Sequence, residues 1–177
     1  KRRHIVFANL RREFENISII CTSPAKTFNL AGLQVSNIFI PDKELRGQFK
    51  KQMAAAGYSQ LNTIGLTACE AAYYYGDDWY GAMMEYVAGN IRYMKSYLEK
   101  ELPQLIMIDP EGTYLVWVDF RGLGLSGLEL EGIIVKKANL WLDSGTIFGK
   151  AGDGFERFNV ACPRVVLKKA LEQKTVI

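Results

Sequence analysis

The sequence is poor in histidine, cysteine and proline, and it has no long apolar run. It contains 1 histidine, 3 cysteines and 5 prolines in 177 residues. Cys21, Cys69 and Cys162 stand far apart, and none lies in a Cys-x-x-Cys pattern. The sequence therefore favours neither a zinc site nor a disulfide framework, and we predict no bound metal and a reducing, cytoplasmic location. No apolar run approaches the roughly 20 residues of a membrane-spanning helix, so no membrane association is predicted.

A large excess of one charge is also missing. The chain has 22 lysines and arginines against 19 acidic residues, which gives a net charge of +3. Nucleic-acid-binding domains concentrate basic residues on one surface, and this small, dispersed excess argues against a nucleic-acid partner. The hydrophobic content of 49% is enough for one good-sized core or two small ones.

The most informative segment is residues 22–33, with the sequence TSPAKTFNLAGL. Lys26 ends a Ser-x-x-Lys turn, and the apolar run from Ile17 to Cys21 before it predicts a strand buried on both faces. An uncharged lysine amine can attack an aldehyde, which makes Lys26 a candidate for covalent catalysis. Ser23 carries a hydroxyl that can donate to a phosphate oxygen.

A second informative segment lies near the end of the chain. From Phe155 to Val160 the residues alternate, so Arg157 and Asn159 are predicted to share one strand face. A guanidinium matches a carboxylate with two parallel hydrogen bonds, which makes Arg157 a candidate anion-binding residue. Arg164 lies in the first turn of a predicted helix, and we expect it to have a structural role.

These segments resemble the fold-type I pyridoxal-phosphate enzymes, the class I/II aminotransferase superfamily. The resemblance covers essentially the whole chain and is closest to the carbon–sulfur lyase branch, the cystathionine β-lyases and cysteine desulfhydrases. It rests on TSPAKTFNLAGLQ at residues 22–34, PEGTYLVWVD at 110–119 and ACPR at 161–164. Two positions depart from related patterns. Ala25 stands where serine is common, and Gln34 stands where aspartate aminotransferases have a phosphate-binding arginine.

The resemblance implies roles for individual residues. Lys26 would be the catalytic lysine that holds pyridoxal 5'-phosphate covalently, Ser23 would contact the cofactor, and Arg157 would bind the α-carboxylate of an amino-acid substrate. It also implies an α/β fold. Residues 1–80 would form the C-terminal part of the large cofactor-binding domain, with a mainly parallel sheet, and residues 81–177 a long helix and a smaller α+β domain.

The implied function is carbon–sulfur β-elimination from cystathionine- or cysteine-type amino acids, giving pyruvate, ammonia and a thiol. An aminotransferase is the main alternative. We expect the chain to be the C-terminal half of a longer, homodimeric enzyme, and we expect it to be inactive alone. A non-catalytic domain that dimerises or binds a partner is a further alternative, favoured by the tyrosine-rich stretch from Tyr73 to Tyr97.

A dinucleotide-binding module is the last alternative. Residues 122–127, GLGLSG, fit the Gly-x-Gly-x-x-Gly spacing, and Asp143 follows about 20 residues later, as in the nucleotide fingerprint. Lys136 and Lys137 argue against it, because they stand where a second parallel strand would begin.

Other local signals predict the elements around these segments. The predicted strands cover Val35–Ile40 and Thr113–Phe120. The predicted helices are one capped by Asp42, one with an apolar stripe of Val87, Ile91, Met94 and Leu98, one that begins with a capping box of Ser126 and Glu129, and a last one from Pro163.

Overall fold

The computed structural model describes residues 4–58 and 60–173. Its contacts divide the chain into two units, Lys1–Ala82 and Met83–Ile177, and the division falls inside a long helix. The boundary predicted from the sequence lies two residues away from this division. The assignment of the two parts to domains of a larger enzyme remains a prediction.

The first unit contains two short paired strands, β1 (Ile20–Thr22) and β2 (Asn37–Phe39). The predicted strand over Ile17–Cys21 was wrong in extent and burial, because a 3-10 helix covers Arg12–Ile17 and Ile17 is 69% exposed. Its β-branched residues favour extended backbone, but only the last of them have a pairing partner. The strands run antiparallel, with Cys21 opposite Ile38, whereas a mainly parallel sheet was expected.

Two capped helices follow in this unit. Helix α1 spans Lys43–Ala55, and its first turn is capped by the Asp42 carboxylate, which accepts the Leu45 N–H at 2.8 Å, as predicted. Helix α2 spans Thr63–Tyr75, and Asn62 caps it by accepting the Gly65 N–H at 2.6 Å. The Asn62 amide also donates to the Leu33 carbonyl at 2.8 Å, which ties α2 to the segment after the lysine turn.

The long helix α3 spans Asp77–Glu101. Its predicted apolar stripe is confirmed, because Val87, Met94 and Leu98 are buried and Ile91 packs against the same core. Within the described residues, no helix combines the length and the apolar character needed to cross a bilayer.

The second unit is built on a four-stranded antiparallel sheet in the order β3-β4-β6-β5. The strands are β3 (Ile106–Met107), β4 (Leu115–Asp119), β5 (Asp143–Ser144) and β6 (Phe155–Asn159). Alternation divides the central strands into two faces, and Val116, Val118 and Phe158 join the buried core. The other face carries Trp117 opposite Arg157.

Two short helices complete this unit. Helix α4 (Gly127–Gly132) begins with the predicted capping box, in which Ser126 and Glu129 each accept the other's backbone N–H, and a π-helical turn continues it over Ile133–Lys137. Hydrogen bonding from the Ser126 side chain, and then from its backbone, lowers the pKa of the Glu129 carboxyl. Helix α5 spans Arg164–Glu172 and follows Pro163, as predicted.

Candidate active site

Lys26 lies in a tight turn directly after β1. The turn is closed by two backbone hydrogen bonds: the Phe28 N–H donates to the Pro24 carbonyl at 2.9 Å, and the Leu30 N–H donates to the Ala25 carbonyl at 3.0 Å. Asn29 adopts a left-handed conformation with φ of 56°, which completes the reversal of the chain. The backbone around Lys26 is therefore fixed by its own turn.

Ser23 supports this turn with its side chain. Its hydroxyl accepts the Ala25 N–H at 3.1 Å and donates to the Val35 carbonyl at 2.7 Å. A serine hydroxyl has a single proton to donate. Ser23 would have to give up the bond to Val35 in order to donate to a phosphate oxygen, and its predicted contact with the cofactor remains a prediction.

Phe28 anchors the turn to the helices that follow. Its ring lies 5.7 Å from the ring of Trp79 and 6.2 Å from the ring of Tyr73, measured between centroids. It also lies so close to Gly76 that a Cβ there would come within 2.5 Å of Phe28 Cε1. A single aromatic side chain therefore connects the lysine turn to the junction of α2 and α3.

The Lys26 side chain is exposed in the first unit. An exposed amine on a fixed turn is accessible to an aldehyde, so this turn fits the attachment point of an aldehyde cofactor. Gln34, eight residues on, is exposed and left-handed, with φ of 53°.

Arg157 is held in the second unit by a carboxylate and an aromatic ring. Its Nε donates to Asp143 Oδ2 at 3.1 Å, and its Nη2 donates to the same oxygen. Its Cζ lies 4.7 Å from the centroid of the Phe148 ring, within the range of a cation–π contact. Trp117 packs edge-to-face on Phe148 with a centroid separation of 5.1 Å.

Two predictions concern Arg157, one about its position on the strand and one about its role. The burial pattern of β6 confirms that Arg157 and Asn159 share a face, because the residues that alternate with them are buried. Asn159 uses its side-chain oxygen locally, accepting the Ala161 N–H at 3.0 Å. Binding of a substrate carboxylate by Arg157 remains a prediction.

Arg164 has the structural role expected from the sequence. Its Nε donates to Asn90 Oδ1 at 2.7 Å, and its Cζ lies 4.7 Å from the centroid of the Tyr93 ring. Asn90 is completely buried and also donates to the carbonyls of Val160 and Cys162, both at 2.8 Å. These bonds join α3 to the end of β6 and the start of α5.

The glycine-rich segment 122–127 has a packing explanation. It follows β4, but every strand pair of the described sheet is antiparallel, whereas a dinucleotide-binding fingerprint opens a parallel β-α-β unit. A Cβ at Gly122 would lie 2.5 Å from the Gln104 carbonyl oxygen, and one at Gly127 would lie 2.5 Å from Asp153 Oδ1. Close packing therefore accounts for these two glycines.

The cysteines are all free. Cys21 is exposed, Cys69 is buried and Cys162 is half-buried. Burial raises the pKa of the Cys162 thiol. In the described part of the chain, no three histidine, cysteine, aspartate or glutamate side chains are grouped as a metal site would require.

Comparison with known proteins places the chain in a family. The family model for aminotransferase class I and II matches residues 4–173. The chain belongs to this family. The resemblance to the class I/II aminotransferase superfamily is confirmed, and the similar proteins include ones named as lyases. The chain is 39% identical over 171 residues to cystathionine beta-lyase PatB of Bacillus subtilis, covering 97% of this chain and 44% of that protein.

Two solved structures share the fold. One is a putative aminotransferase from Clostridium difficile 630 bound to PLP, at 41% identity and a TM-score of 0.95, covering 98% of this chain and 45% of that one. The other is cystalysin from Treponema denticola with its pyridoxal 5'-phosphate cofactor, at 35% identity and a TM-score of 0.96, covering 99% and 44%. The predicted α/β fold is confirmed. The chain spans less than half the length of these relatives.

Sequence reasoning missed three residues around Arg157. Asp143 was considered only as part of the nucleotide fingerprint, Trp117 stood only within the segment 110–119, and Phe148 was given no role. The antiparallel pairing of β5 with β6 places Asp143 opposite Arg157. The strand alternation around Arg157 could have suggested Trp117 as a neighbour, but no sequence signal gives the conformation that places the Phe148 ring under the guanidinium.

Proposed function

We propose that this chain is the C-terminal part of a pyridoxal-phosphate-dependent carbon–sulfur β-lyase, acting on cystathionine- or cysteine-type amino acids. The observation that carries the proposal is the exposed amine of Lys26 on a turn with a fixed backbone. The similarity to relatives named as cystathionine beta-lyases supports the choice of reaction.

Lys26 is proposed to hold the cofactor covalently through its amine, with Ser23 near the cofactor phosphate. When bound, the cofactor would supply the electron sink that stabilises a negative charge at the substrate Cα. Lys26, released when the substrate amine replaces it on the cofactor, would then act as the base that removes the Cα proton. The bond between Cβ and sulfur would break with the electron pair leaving on sulfur as a thiolate, which takes up a proton to give the thiol, and hydrolysis would complete the conversion to pyruvate and ammonia.

Arg157 is proposed to bind the substrate α-carboxylate. A planar guanidinium fixes both the charge and the orientation of a carboxylate, and orientation decides which bond at Cα is broken. Arg157 lies on the same sheet face as Trp117, and 23% of its side chain is exposed, so a substrate carboxylate could reach the guanidinium.

Aminotransferase activity is the second candidate. It is favoured by the family to which the chain belongs and by the 41% identity to a putative aminotransferase. Lys26 and Arg157 would have the same contacts in both reactions. The difference would lie in where Lys26 returns the proton: in transamination it would be delivered to the cofactor, and no carbon–sulfur bond would break.

We further propose that the active enzyme is a homodimer in which a preceding part of the protein supplies the rest of the cofactor site. The chain spans 44% of its PatB relative, and the chain alone is therefore expected to have little or no turnover. Measurable lyase turnover by the purified chain would contradict this expectation.

The test uses the full-length protein that carries this chain, loaded with pyridoxal 5'-phosphate. Pyruvate and thiol release from L-cystathionine would be measured beside amino transfer to a 2-oxo acid. We expect pyruvate and thiol in equal amounts, and loss of both in Lys26→Ala with retention in Lys51→Ala, an exposed lysine on α1. Amino transfer without thiol release would refute the lyase proposal and support the aminotransferase.

A further inference from the structure

Asp143 holds the Arg157 guanidinium along one edge only. The Nε and Nη2 atoms both donate to the single oxygen Oδ2 of Asp143. A guanidinium carries five N–H groups, so this contact uses two of them. Among the described residues, no acceptor is bound to Nη1 of Arg157, and the edge formed by Nη1 and Nη2 stays available.

The available edge has the geometry that a carboxylate needs. Two parallel N–H groups on Nη1 and Nη2 can donate to the two oxygens of one carboxylate. Phe148 covers a face of the guanidinium, and the Trp117 and Phe148 rings pack edge-to-face. With one edge and one face occupied, the guanidinium plane is restrained around its Cζ.

Asp143 is itself placed by backbone structure. It stands opposite Arg157 in the antiparallel pairing of β5 with β6, so a ladder rather than a flexible loop sets its position. Its side chain is 45% exposed and that of Arg157 is 23% exposed, so the contact lies at the surface of the second unit. An ion pair at this depth adds little stability, which leaves orientation as its main physical effect.

We propose that Asp143 is a positioning residue, which orients Arg157 so that its Nη1–Nη2 edge meets the α-carboxylate of the amino-acid substrate. This inference rests on the proposed function of Arg157. The negative charge of Asp143 repels the substrate carboxylate and lowers its affinity for Arg157. Asp143 therefore favours binding only by orienting the arginine.

Two substitutions separate orientation from charge. Asp143→Asn keeps an oxygen that can accept from Nε and Nη2, but it removes the negative charge. Asp143→Ala removes both. If Asp143 orients Arg157, the asparagine variant binds carboxylates at least as tightly as the wild type, and the alanine variant binds them about tenfold more weakly, as expected for one lost orienting contact.

The first measurement uses the 177-residue chain with isotope-labelled arginine and acetate as the carboxylate probe. The Arg157 Nε–H and Nη signals are assigned with Arg157→Lys and followed by NMR as acetate is added. Asp109→Ala is the control, because Asp109 forms an exposed ion pair with Lys95 in the same unit, at 2.8 Å. We expect Asp143→Asn to bind acetate at least as tightly as the wild type and the Asp109→Ala control. Asp143→Ala should bind it most weakly.

Each other outcome has a distinct meaning. Equal or tighter acetate binding by Asp143→Ala would overturn the positioning role while leaving Arg157 as the carboxylate site. Weak binding by both Asp143 variants would also overturn it, because charge rather than the hydrogen-bonded orientation would then matter. No response of the Arg157 signals in any protein would refute the carboxylate role of Arg157, and the inference with it.

The second measurement uses the cofactor-loaded, full-length protein. Asp143→Ala is expected to raise KM by about tenfold and to change kcat by less than about threefold, since it weakens binding of a group that stays bound throughout the reaction. The asparagine variant should restore KM. A loss of kcat with unchanged KM, not restored by asparagine, would contradict a positioning role.

Discussion

The ring of Phe28 lies against Gly76, and this contact ties the lysine turn to the junction of α2 and α3. A Cβ at Gly76 would come within 2.3 Å of the Ala72 carbonyl oxygen and within 2.5 Å of Phe28 Cε1, although the φ of −89° is one that other residues adopt. The absence of a side chain at Gly76 is therefore required by packing and not by backbone conformation.

Replacing Gly76 should loosen the lysine turn. Gly76→Ala is expected to destabilise the turn by about 1–3 kcal/mol, because the added methyl group meets both the Ala72 carbonyl oxygen and the Phe28 ring, and the ring is displaced from its packed position. Amide hydrogen exchange of Phe28, whose N–H donates to Pro24, measures this loss directly.

The matched control is Gly81→Ala on α3, where a Cβ would meet open space. This change should leave Phe28 exchange unaltered and stabilise the helix by up to about 1 kcal/mol, since alanine is the better helix former. Equal exchange of Phe28 in both variants would show that Phe28 does not depend on Gly76.

Asn90 should be among the most sensitive polar positions in the second unit. Its buried amide makes hydrogen bonds to Val160, Cys162 and Arg164, and Asn90→Ala leaves those groups without it. We expect a loss of roughly 2–4 kcal/mol in the free energy of unfolding, measured by urea denaturation. Ser96→Ala, an exposed change on the same helix, should cost less than about 0.5 kcal/mol. Similar losses in the two variants would contradict the role of Asn90.

The pair of Asp119 and Arg121 should make stability depend on acid pH. Hydrogen bonding from the Arg121 side chain is the main cause that lowers the pKa of the nearly buried Asp119 carboxyl. A carboxyl with a lowered pKa in the folded state binds fewer protons there than in the unfolded chain. Its contribution to stability is present above the ordinary aspartate pKa of about 3.9, and it is lost as the pH falls through the lower folded value.

Asp119→Asn should therefore flatten the pH dependence of the unfolding free energy below about pH 4. Urea midpoints measured from pH 6 to the lowest pH at which the chain stays folded test this, with the exposed Asp109→Asn as the comparison. A slope in the Asp119 variant as steep as in the wild type would assign the acid sensitivity to other groups.

The sequence predicted those features that depend on neighbours along the chain. The Ser126–Glu129 capping box, the Asp42 cap and the stripe of Val87, Ile91, Met94 and Leu98 each follow from spacings of three or four residues, and the structure has all of them. Periodicity and capping are local properties, so a single sequence contains them.

Features that depend on distant pairing were missed. The strand over Ile17–Cys21 was predicted from β-branched residues, but pairing with β2 begins only at Ile20. Asp143 meets Arg157 because two strands align across 14 residues of chain, and Phe28 meets Gly76 across 48. Local propensity gives no register between segments this far apart, so these contacts could be found only in the structure.

The identity of the cofactor lysine is the central claim, and reductive labelling tests it most directly. The 177-residue chain would be incubated with pyridoxal 5'-phosphate and reduced with borohydride, and the modified lysines would be mapped by mass spectrometry beside Lys26→Ala and Lys51→Ala. We expect modification concentrated at Lys26, abolished in Lys26→Ala and unchanged in Lys51→Ala. Labelling spread evenly over the exposed lysines, both in this chain and in the full-length protein, would contradict the claim.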